Sequence, residues 1–560
     1  MLDTSNHTAR TLVALMEAHG VKNAVVSPGS RNAPLLVAVS RSETIHTEVV
    51  IDERSAAFVA LGIAVASSEP VALICTSGTA MLNYAPAVAE AYYRRVPLVV
   101  VTADRPVEWI DQDDSQTIRQ PDALSNYVKR SYNIPAIDVK QYRWYANRII
   151  NDAMLCAVSG RPAPVHINVQ IAEPIGGLVE LQPESPRKIS ILNPRMDLTV
   201  AEARSIGRSL SSPCRVMVVA GFMPPDKALN QALCRLARLP NFVVLTETIA
   251  NLHGRDFISA IDAVLAVMPE DCDIYVPDVV ITVGGALVSR HIKRFLRSHS
   301  SIKHWHVGAM DITIDCFRSL TERIEMRPEV FFRQLASAMQ PYTTSCDYAD
   351  LWHRLRDKAQ SVHSSYISRA PWSDLKAFAT FVPLIPRRWN VHFSNGTSIR
   401  YAQLLGDHDY HRCDCNRGVS GIDGCTSTAI GASMVYKTDV TLLVTGDMSA
   451  QYDIGALACR GITPRFKMIV MRNGGGGIFR FVESTRSLDI LEDYFCVPSA
   501  LPLRELAQGY GFAYFEASGE SELRSAFADF AAEKSCPAIM AIDTPADVSA
   551  QILRGYFDIK

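Results

Sequence analysis

Two stretches stand near the carboxyl end of the chain: Thr441-Leu442-Leu443-Val444-Thr445-Gly446-Asp447 and Met468-Ile469-Val470-Met471-Arg472-Asn473-Gly474-Gly475-Gly476-Gly477. Each is an apolar, largely β-branched run that closes on a turn of Gly, Asp or Asn. A run without polar alternation is apolar on both faces, the mark of a strand inside a parallel sheet covered by helices. Ligands of such sheets sit at the carboxyl ends of the strands. Asp447 and Asn473 end two successive strands. An acid and an amide placed so can ligate one hard cation such as Mg2+, which takes oxygen ligands and shares them with phosphates. The glycines after Asn473 let backbone groups come close to a ligand, and helix N-termini there favour a phosphate. Gly446-Asp447 alone is also how an ordinary strand ends; the pairing with Asn473 carries the signal.

The same grammar extends outward from this point. Asn23-Ala24-Val25-Val26 precedes Ser27-Pro28-Gly29-Ser30, and Val71-Ala72-Leu73-Ile74-Cys75 precedes Thr76-Ser77-Gly78-Thr79. Leu98-Val99-Val100-Val101 precedes Thr102-Ala103-Asp104-Arg105. Val216–Gly221, Val279–Gly285 and Ala538–Asp543 repeat the pattern, with helical stretches between. The fold class is therefore α/β, with three doubly wound parallel-sheet domains. Pro/Gly-rich breaks run from Glu173-Pro174-Ile175-Gly176-Gly177 to Pro183-Glu184-Ser185-Pro186, and again at Gln340-Pro341-Tyr342-Thr343-Thr344, ahead of a charged helix from Tyr348. They predict domains over 1–182, 183–345 and 346–560.

The 560 residues carry a formal net charge of −2, which excludes a bulk basic nucleic-acid binder. Thirteen scattered cysteines form no secreted disulfide framework. The start Met1-Leu2-Asp3-Thr4 has no signal-peptide pattern. The longest apolar runs, such as Pro97–Thr102, fall far short of the ~20 residues a membrane span needs. These features predict a soluble cytoplasmic protein with reduced thiols.

Gly446-Asp447 followed by Asn473 resembles the signature of thiamine-diphosphate enzymes, Gly-Asp-Gly followed by Asn, with one departure: the third position is Met448. Such enzymes need a carboxylate in the first domain, in a dry site, to hold a proton on the cofactor's pyrimidine ring. Thr47-Glu48-Val49-Val50-Ile51-Asp52-Glu53-Arg54-Ser55-Ala56-Ala57 fits, with Glu53 closing a strand ahead of a small-residue helix. A glutamate there also suits the first turn of a helix, where it complements the dipole.

Five further segments narrow the resemblance. They are Ser27-Pro28-Gly29-Ser30-Arg31-Asn32-Ala33-Pro34, Asp52-Glu53-Arg54, Thr102-Ala103-Asp104-Arg105-Pro106, Gln116-Thr117-Ile118-Arg119-Gln120-Pro121 and Asn416-Arg417-Gly418-Val419-Ser420-Gly421-Ile422-Asp423-Gly424. They are similar to the 2-succinyl-5-enolpyruvyl-6-hydroxy-3-cyclohexene-1-carboxylate synthases of menaquinone (vitamin K2) biosynthesis, in which the position of Met448 is not reliably Gly. The resemblance covers the first and last domains; the middle one matches in layout only.

The resemblance implies a transferase that takes 2-oxoglutarate and isochorismate as small-molecule substrates. Its domains would be a pyrimidine-binding, a central Rossmann-like (transhydrogenase-like) and a diphosphate-binding one. It implies thiamine diphosphate with Mg2+ or Mn2+, and a homodimer or homotetramer with active sites between subunits. Glu53 becomes the catalytic acid. Asp447, Asn473 and the carbonyl of Gly475 become the metal ligands. Gly446, Met448, Ser449, Gly476, Ile478 and Phe479 join the cofactor-binding set, with Ile422 the apolar support that keeps the cofactor bent. Both substrates are dianions, so arginines should gather around them. Arg31, Arg105 and Arg417 lie in the matching segments, Arg290 and Arg400 follow Gly-rich turns, and Ser30 and Gln116 would donate to the second substrate. Any one of these arginines is also a candidate for plain solvation.

Three other constellations are weaker. Asp407-His408-Asp409-Tyr410-His411-Arg412-Cys413-Asp414-Cys415 lacks structural-zinc spacing and reads as a polar loop. Gly474–Gly477 has no Lys-Ser/Thr after it, so it is not a Walker loop. No Gly-x-Gly-x-x-Gly opens the middle domain, and nothing specific there points to FAD. Two rival readings remain. One is another thiamine-diphosphate-dependent 2-oxoacid decarboxylase or acetolactate-type carboligase, against which the arginine-bearing segments weigh. The other is a subunit of the same fold used for sensing or assembly, which loss of Glu53 or of the metal pair would mark.

Overall fold

The structure is a computed structural model that describes every residue except 1, 181–183, 193–195, 212, 310–311, 340–345, 407, 499–500 and 560. The expected boundaries at 182/183 and 345/346, the Gln340–Thr344 linker, Pro183 and Asp407 lie outside the described residues. The chain folds into two compact units. One comprises Met1–Asn193, Gly418–Thr441 and Tyr452–Phe466, the other Pro194–Arg417, Leu442–Gln451 and Lys467–Lys560.

The first unit opens with β1 (Leu2–Thr4), followed by β2 (Asn23–Val26), β3 (His46–Val49), β4 (Val71–Cys75), β5 (Leu98–Asp104), β6 (Ser131–Ile134), β7 (Val165–Gln170) and β8 (Leu178–Glu180). β1 and β8 form a small antiparallel pair. The other six form a parallel sheet in the order β3-β2-β4-β5-β7-β6. Its apolar runs are buried on both faces, as their lack of alternation requires. Two helices of this unit, Glu53–Ser67 and Cys425–Val435, are packed unusually close, and small residues are the reason. A Cβ on Gly62 would stand 2.0 Å from the Thr428 carbonyl oxygen, and one on Gly431 would stand 2.1 Å from that of Val59.

The second unit carries two sheets. β9 (Val216–Ala220), β10 (Phe242–Thr246), β11 (Val279–Val283), β12 (Lys303–Val307) and β13 (Leu320–Ile324) form the central one, parallel throughout, in the order β10-β9-β11-β12-β13. β14 (Asn390–Phe393), β15 (Arg412–Asp414), β16 (Thr441–Gly446), β17 (Phe466–Arg472), β18 (Ala513–Ala517) and β19 (Ala538–Asp543) form the last, in the order β15-β14-β16-β17-β19-β18. Successive residues of β9 point to opposite faces. Val216 and Val218 join Leu233 and Phe331, while Met217 and Val219 join Val264 and Trp352. The helix Tyr348–Arg369 spans both layers of this unit: Tyr348 and Trp352 seat on the central sheet, and the Tyr366 hydroxyl donates to the Ile552 carbonyl.

The first and last sheets share one topology. Counted from its own first long strand, each places the second strand outermost and reverses direction beside the first. That reversal is the crevice where ligands of open α/β sheets bind. It falls between β2 and β4 in one sheet and between β14 and β16 in the other. In the central sheet it falls between β9 and β11. There a Cβ on Gly221 would meet the Gly285 oxygen at 2.1 Å, and one on Gly285 the Phe222 ring at 2.3 Å, so the glycines serve loop-on-loop packing.

Two local expectations are corrected. Glu53 does not close a strand: β3 ends at Val49, the Asp52 carboxylate caps the next helix by accepting from Ser55 N, and Glu53 is its first residue. The stretch read as a polar loop holds the edge strand β15, with Cys413 and Cys415 buried. Local polarity misleads there because Arg412 and Asp414 satisfy each other, Nε to Oδ2 at 2.6 Å.

Candidate active site

In the first unit, the loop after β2 and the long loop after β5 approach each other at the carboxyl edge of the sheet. Arg31 is buried; its guanidinium donates to the Ile171 carbonyl at 2.9 Å and to Glu173 at 2.7 Å. Arg105 pairs with Asp114 at 2.7 Å and lies 3.7 Å from the same Glu173 oxygen. Two guanidinium groups thus already share one carboxylate, the chemistry a carboxylate substrate requires. Ser30 and Gln116 are exposed, and Gln116 sits at φ 57°. The Gln116 amide donates to the Ser77 carbonyl, while its own carbonyl accepts from Ser77 Oγ.

Gln120 fixes this loop from below, and its role was not legible in the sequence. Its side chain accepts from Gly78 N at 2.8 Å and donates to Asn168 and to the Ala103 carbonyl. Asn168 in turn donates to Asp104, whose carboxyl burial pushes up to about 6. Glu53 is half-buried; burial raises the Cys75 thiol and the Tyr84 hydroxyl, and the nearby charge of Glu53 adds to both. Arg54, next to it, pairs with the fully buried Asp453 at 3.0 Å. Ile422 lies partly buried in the loop that leads into Cys425–Val435. Glu90 holds that loop by accepting from Gly418 N and Val419 N at 2.7 Å each.

In the second unit, Gly446 ends β16 and Asn473 follows β17, while Asp447, expected to end the strand, instead opens the helix Asp447–Tyr452. Asp447 accepts from Met448 N at 2.8 Å and from Gly475 N at 2.9 Å. Gly474, Gly475 and Gly476 all adopt positive φ. A Cβ on Gly475 would meet the Val497 oxygen at 2.4 Å, so only glycine fits there. Met448 takes a specific part: its sulfur accepts from Gly476 N at 3.0 Å and covers a backbone N–H of the glycine loop. Ser449 is buried beside Asp447, and Phe479 stacks edge-on against Phe495 with Ile478 next to it.

This corner fits a divalent cation. Burial raises Asp447, and backbone N–H groups, those of Met448 and Gly475 first, offset part of it. Asp374, a wholly buried acid that sequence reading missed, is raised by burial and further by the charge of Asp447. Asn473 donates its amide N–H to Asp374 at 2.8 Å, which leaves the amide oxygen for a ligand. The Gly475 carbonyl already accepts from Arg480 at 3.1 Å, so only its second lone pair is open. Among the described residues no group of three or more His, Cys, Asp or Glu could hold a metal. One carboxylate, an amide and a carbonyl make a site that depends on phosphate oxygens to complete it.

The same unit gathers three of the arginines that the sequence nominated. Burial first, then the charges of Arg290 and Arg417, lower Arg400 to about 10, while Asp262 and Glu247 act the other way. Arg417 donates to Asn395 at 3.1 Å. Arg290 and Arg400 line a cavity of about 520 Å3 together with His291, Arg294, Phe481 and Phe557, and with the acids Asp262 and Glu483. A lining in which arginines outnumber the acids, with aromatic rings among them, suits a small organic anion.

Sheets wound in this way, a glycine-rich loop beside Asp447 and Asn473, and an acid opening the helix after β3 together define a thiamine-diphosphate-dependent enzyme. Residues 6–124 match the family described as thiamine pyrophosphate enzyme, N-terminal TPP binding domain. A 2-succinyl-5-enolpyruvyl-6-hydroxy-3-cyclohexene-1-carboxylate synthase of Porphyromonas gingivalis is 42% identical over 98% of this chain and 96% of its own. Those of Christiangramia forsetii and Bacteroides thetaiotaomicron are 37% and 33% identical, each over 98% of this chain and 98% and 97% of theirs. The chain belongs to the family of these synthases. The rival readings, a simpler decarboxylase or carboligase and a sensing subunit, are not favoured.

Proposed function

We propose that the protein catalyses the decarboxylation of 2-oxoglutarate and the transfer of the resulting succinyl-semialdehyde unit to isochorismate by 1,4-addition, in menaquinone biosynthesis. The product is 2-succinyl-5-enolpyruvyl-6-hydroxy-3-cyclohexene-1-carboxylate. The observation that carries this reading, in a chain of this family, is that Arg290 and Arg400 line one cavity and that Arg417 lies near enough for its charge to act on Arg400. Two dianionic substrates need such a cluster; small neutral acceptors do not.

Bound thiamine diphosphate supplies the electron sink that decarboxylation needs. Asp447, the Asn473 amide oxygen and the Gly475 carbonyl would hold the Mg2+ or Mn2+ that accompanies it. The backbone of Gly446, Met448, Ser449 and Gly476 meets the diphosphate. Glu53 holds and returns a proton at the pyrimidine ring. Ile422 would be the apolar support that keeps the cofactor bent, and Ile478 and Phe479 would line the pocket for the succinyl unit. Arg290, Arg400 and Arg417, with Arg31 and Arg105, orient the substrate carboxylates, and Ser30 and Gln116 donate to the second substrate. Orientation of this kind is worth several kcal/mol of barrier in general, on the order of 7 or more. The protein acts in the cytoplasm as a homodimer or homotetramer, each site combining Glu53 of one copy with Asp447 of another. Residues 1–182, 183–345 and 346–560 are its pyrimidine-binding, central and diphosphate-binding domains.

The test is substrate turnover. Purified protein with thiamine diphosphate and Mg2+ should consume isochorismate only when 2-oxoglutarate is present, with matching release of carbon dioxide. Conversion of pyruvate to acetaldehyde or acetolactate, with isochorismate untouched, would refute the reading.

A further inference from the structure

The central sheet has no part in the chemistry so far, yet the turn that leaves β10 reaches all three segments that carry the clustered arginines. That turn, Glu247–Asn251, is almost wholly buried. Glu247 accepts from Val288 N and from Ser289 N, both at 2.7 Å. Ser289 caps the helix Arg290–Arg297, so Glu247 sets where Arg290 begins. Its neighbour Thr248 donates its backbone N–H to Gln403 at 2.8 Å. Gln403 is fully buried on the helix Ser398–Leu404, one turn beyond Arg400, and its amide donates to the Ser259 carbonyl at 2.6 Å. Asn251 then clasps β15 in both directions: Cys413 N donates to its oxygen at 2.7 Å, and its amide donates to the Cys413 carbonyl at 2.9 Å. β15 leads directly into Asn416-Arg417. Asn251 holds this position at φ 54°, a left-handed conformation that asparagine tolerates better than most residues.

We propose that the Glu247–Asn251 turn is the positioning element for Arg290, Arg400 and Arg417, and that organising this anion grip is what the central domain does in the reaction. The inference rests on the proposed function, since it takes those arginines to hold the substrate carboxylates. Three like charges repel, and left to themselves they would splay apart. Fixing each on a separate buried hydrogen-bonded clip keeps them convergent before substrate arrives, so that binding does not have to order them. Asp262 offsets part of the cluster's charge, and so, to the extent that it is ionised, does Glu247, which burial pushes up to about 7. Ser289 joins the two acids, since its hydroxyl donates to Asp262 while its N–H donates to Glu247.

The experiment uses the full chain loaded with thiamine diphosphate and Mg2+. Glu247→Gln replaces one acceptor oxygen by a donor that faces an N–H; Gln403→Met removes the second clip; Asn251→Asp removes the donated half of the third. Each should raise KM for 2-oxoglutarate or isochorismate about tenfold while kcat stays within about threefold, the signature of lost uniform binding. Affinity for thiamine diphosphate should not change. Unchanged KM values in all three variants would overturn the inference. So would a parallel loss of kcat, KM and cofactor affinity with a lowered Tm, which marks a merely structural turn. If one variant fails to fold, the other two decide. Arg290→Ala separates the two levels. If it leaves both KM values unchanged, the proposed role of the arginines has failed; if it raises KM while the clip variants do not, only the positioning role has.

Discussion

Arg400 offers a prediction in which stability and function move in opposite directions. Its guanidinium is lowered to about 10 by burial and by Arg290 and Arg417. Measured from the ordinary range of an arginine, that corresponds to roughly 3 kcal/mol held against the charged form in the folded state. A base held below its ordinary range stays charged at neutral pH at a cost, and removing the charge removes the cost. Arg400→Met keeps most of the side-chain volume and deletes the charge. The substrate-free protein should therefore gain stability, up to about 3 kcal/mol as an upper bound. The grip on substrate should weaken by a charge-assisted hydrogen bond, about 1.5–3 kcal/mol, which is roughly 10- to 150-fold in KM. Urea unfolding of the apo protein reads the first quantity and initial rates with both substrates read the second. A variant that loses stability and keeps its KM would refute the view that Arg400 is held in tension for an anion.

Two further outcomes test other parts of the structure. Gly62→Ala places a methyl against the Thr428 carbonyl and should cost at least about 1–3 kcal/mol by overpacking; urea unfolding of the variant should show an earlier transition, and an unchanged midpoint would mean the two helices can separate freely. His166 is buried between Thr102 and Ser131 and held near 4, from an ordinary value of 6.5. The unfolded chain binds that proton first, so stability should fall as pH drops from 6.5 towards about 4. Urea midpoints measured across that window should slope less in His166→Gln; an identical slope would remove His166 from the acid response.

The fold was readable because strands buried on both faces have to be apolar without alternation, and Val71–Cys75, Val216–Ala220 and Ala538–Asp543 stand at the predicted positions. Strand ends were less legible. Residues such as Thr102, Asp104 and Thr445 extend β5 and β16 past their apolar runs, since buried partners or backbone pairing satisfy them. The dianionic substrates that the family resemblance implies led to the expectation that Arg31, Arg105 and Arg417 gather, with Arg290 and Arg400 as additions. What holds Arg290, Arg400 and Arg417 was not expected, because Glu247, Gln403 and Asn251 act through contacts with residues far along the chain. Asp374 escaped notice for the same reason: its partners Asn473 and Thr544 are remote in sequence. The Met448 departure looked like a defect in the motif; the sulfur that accepts from Gly476 N gives it a physical purpose. The cysteine-bearing segment before Asn416 was misread because an edge strand is short and its polar residues pair with each other.

In the proposed function, Glu53 and Asp447 meet at one cofactor from two copies of the chain. Glu53→Gln and Asp447→Asn should each abolish turnover alone. Unfolded together and refolded as a mixture, they should recover activity. Half of the random dimers are mixed, and each mixed dimer regains one intact site of two, which gives about a quarter of the wild-type rate. Activity that stays at zero in mixtures shown to contain mixed dimers would place both residues in the site of a single chain and contradict the account.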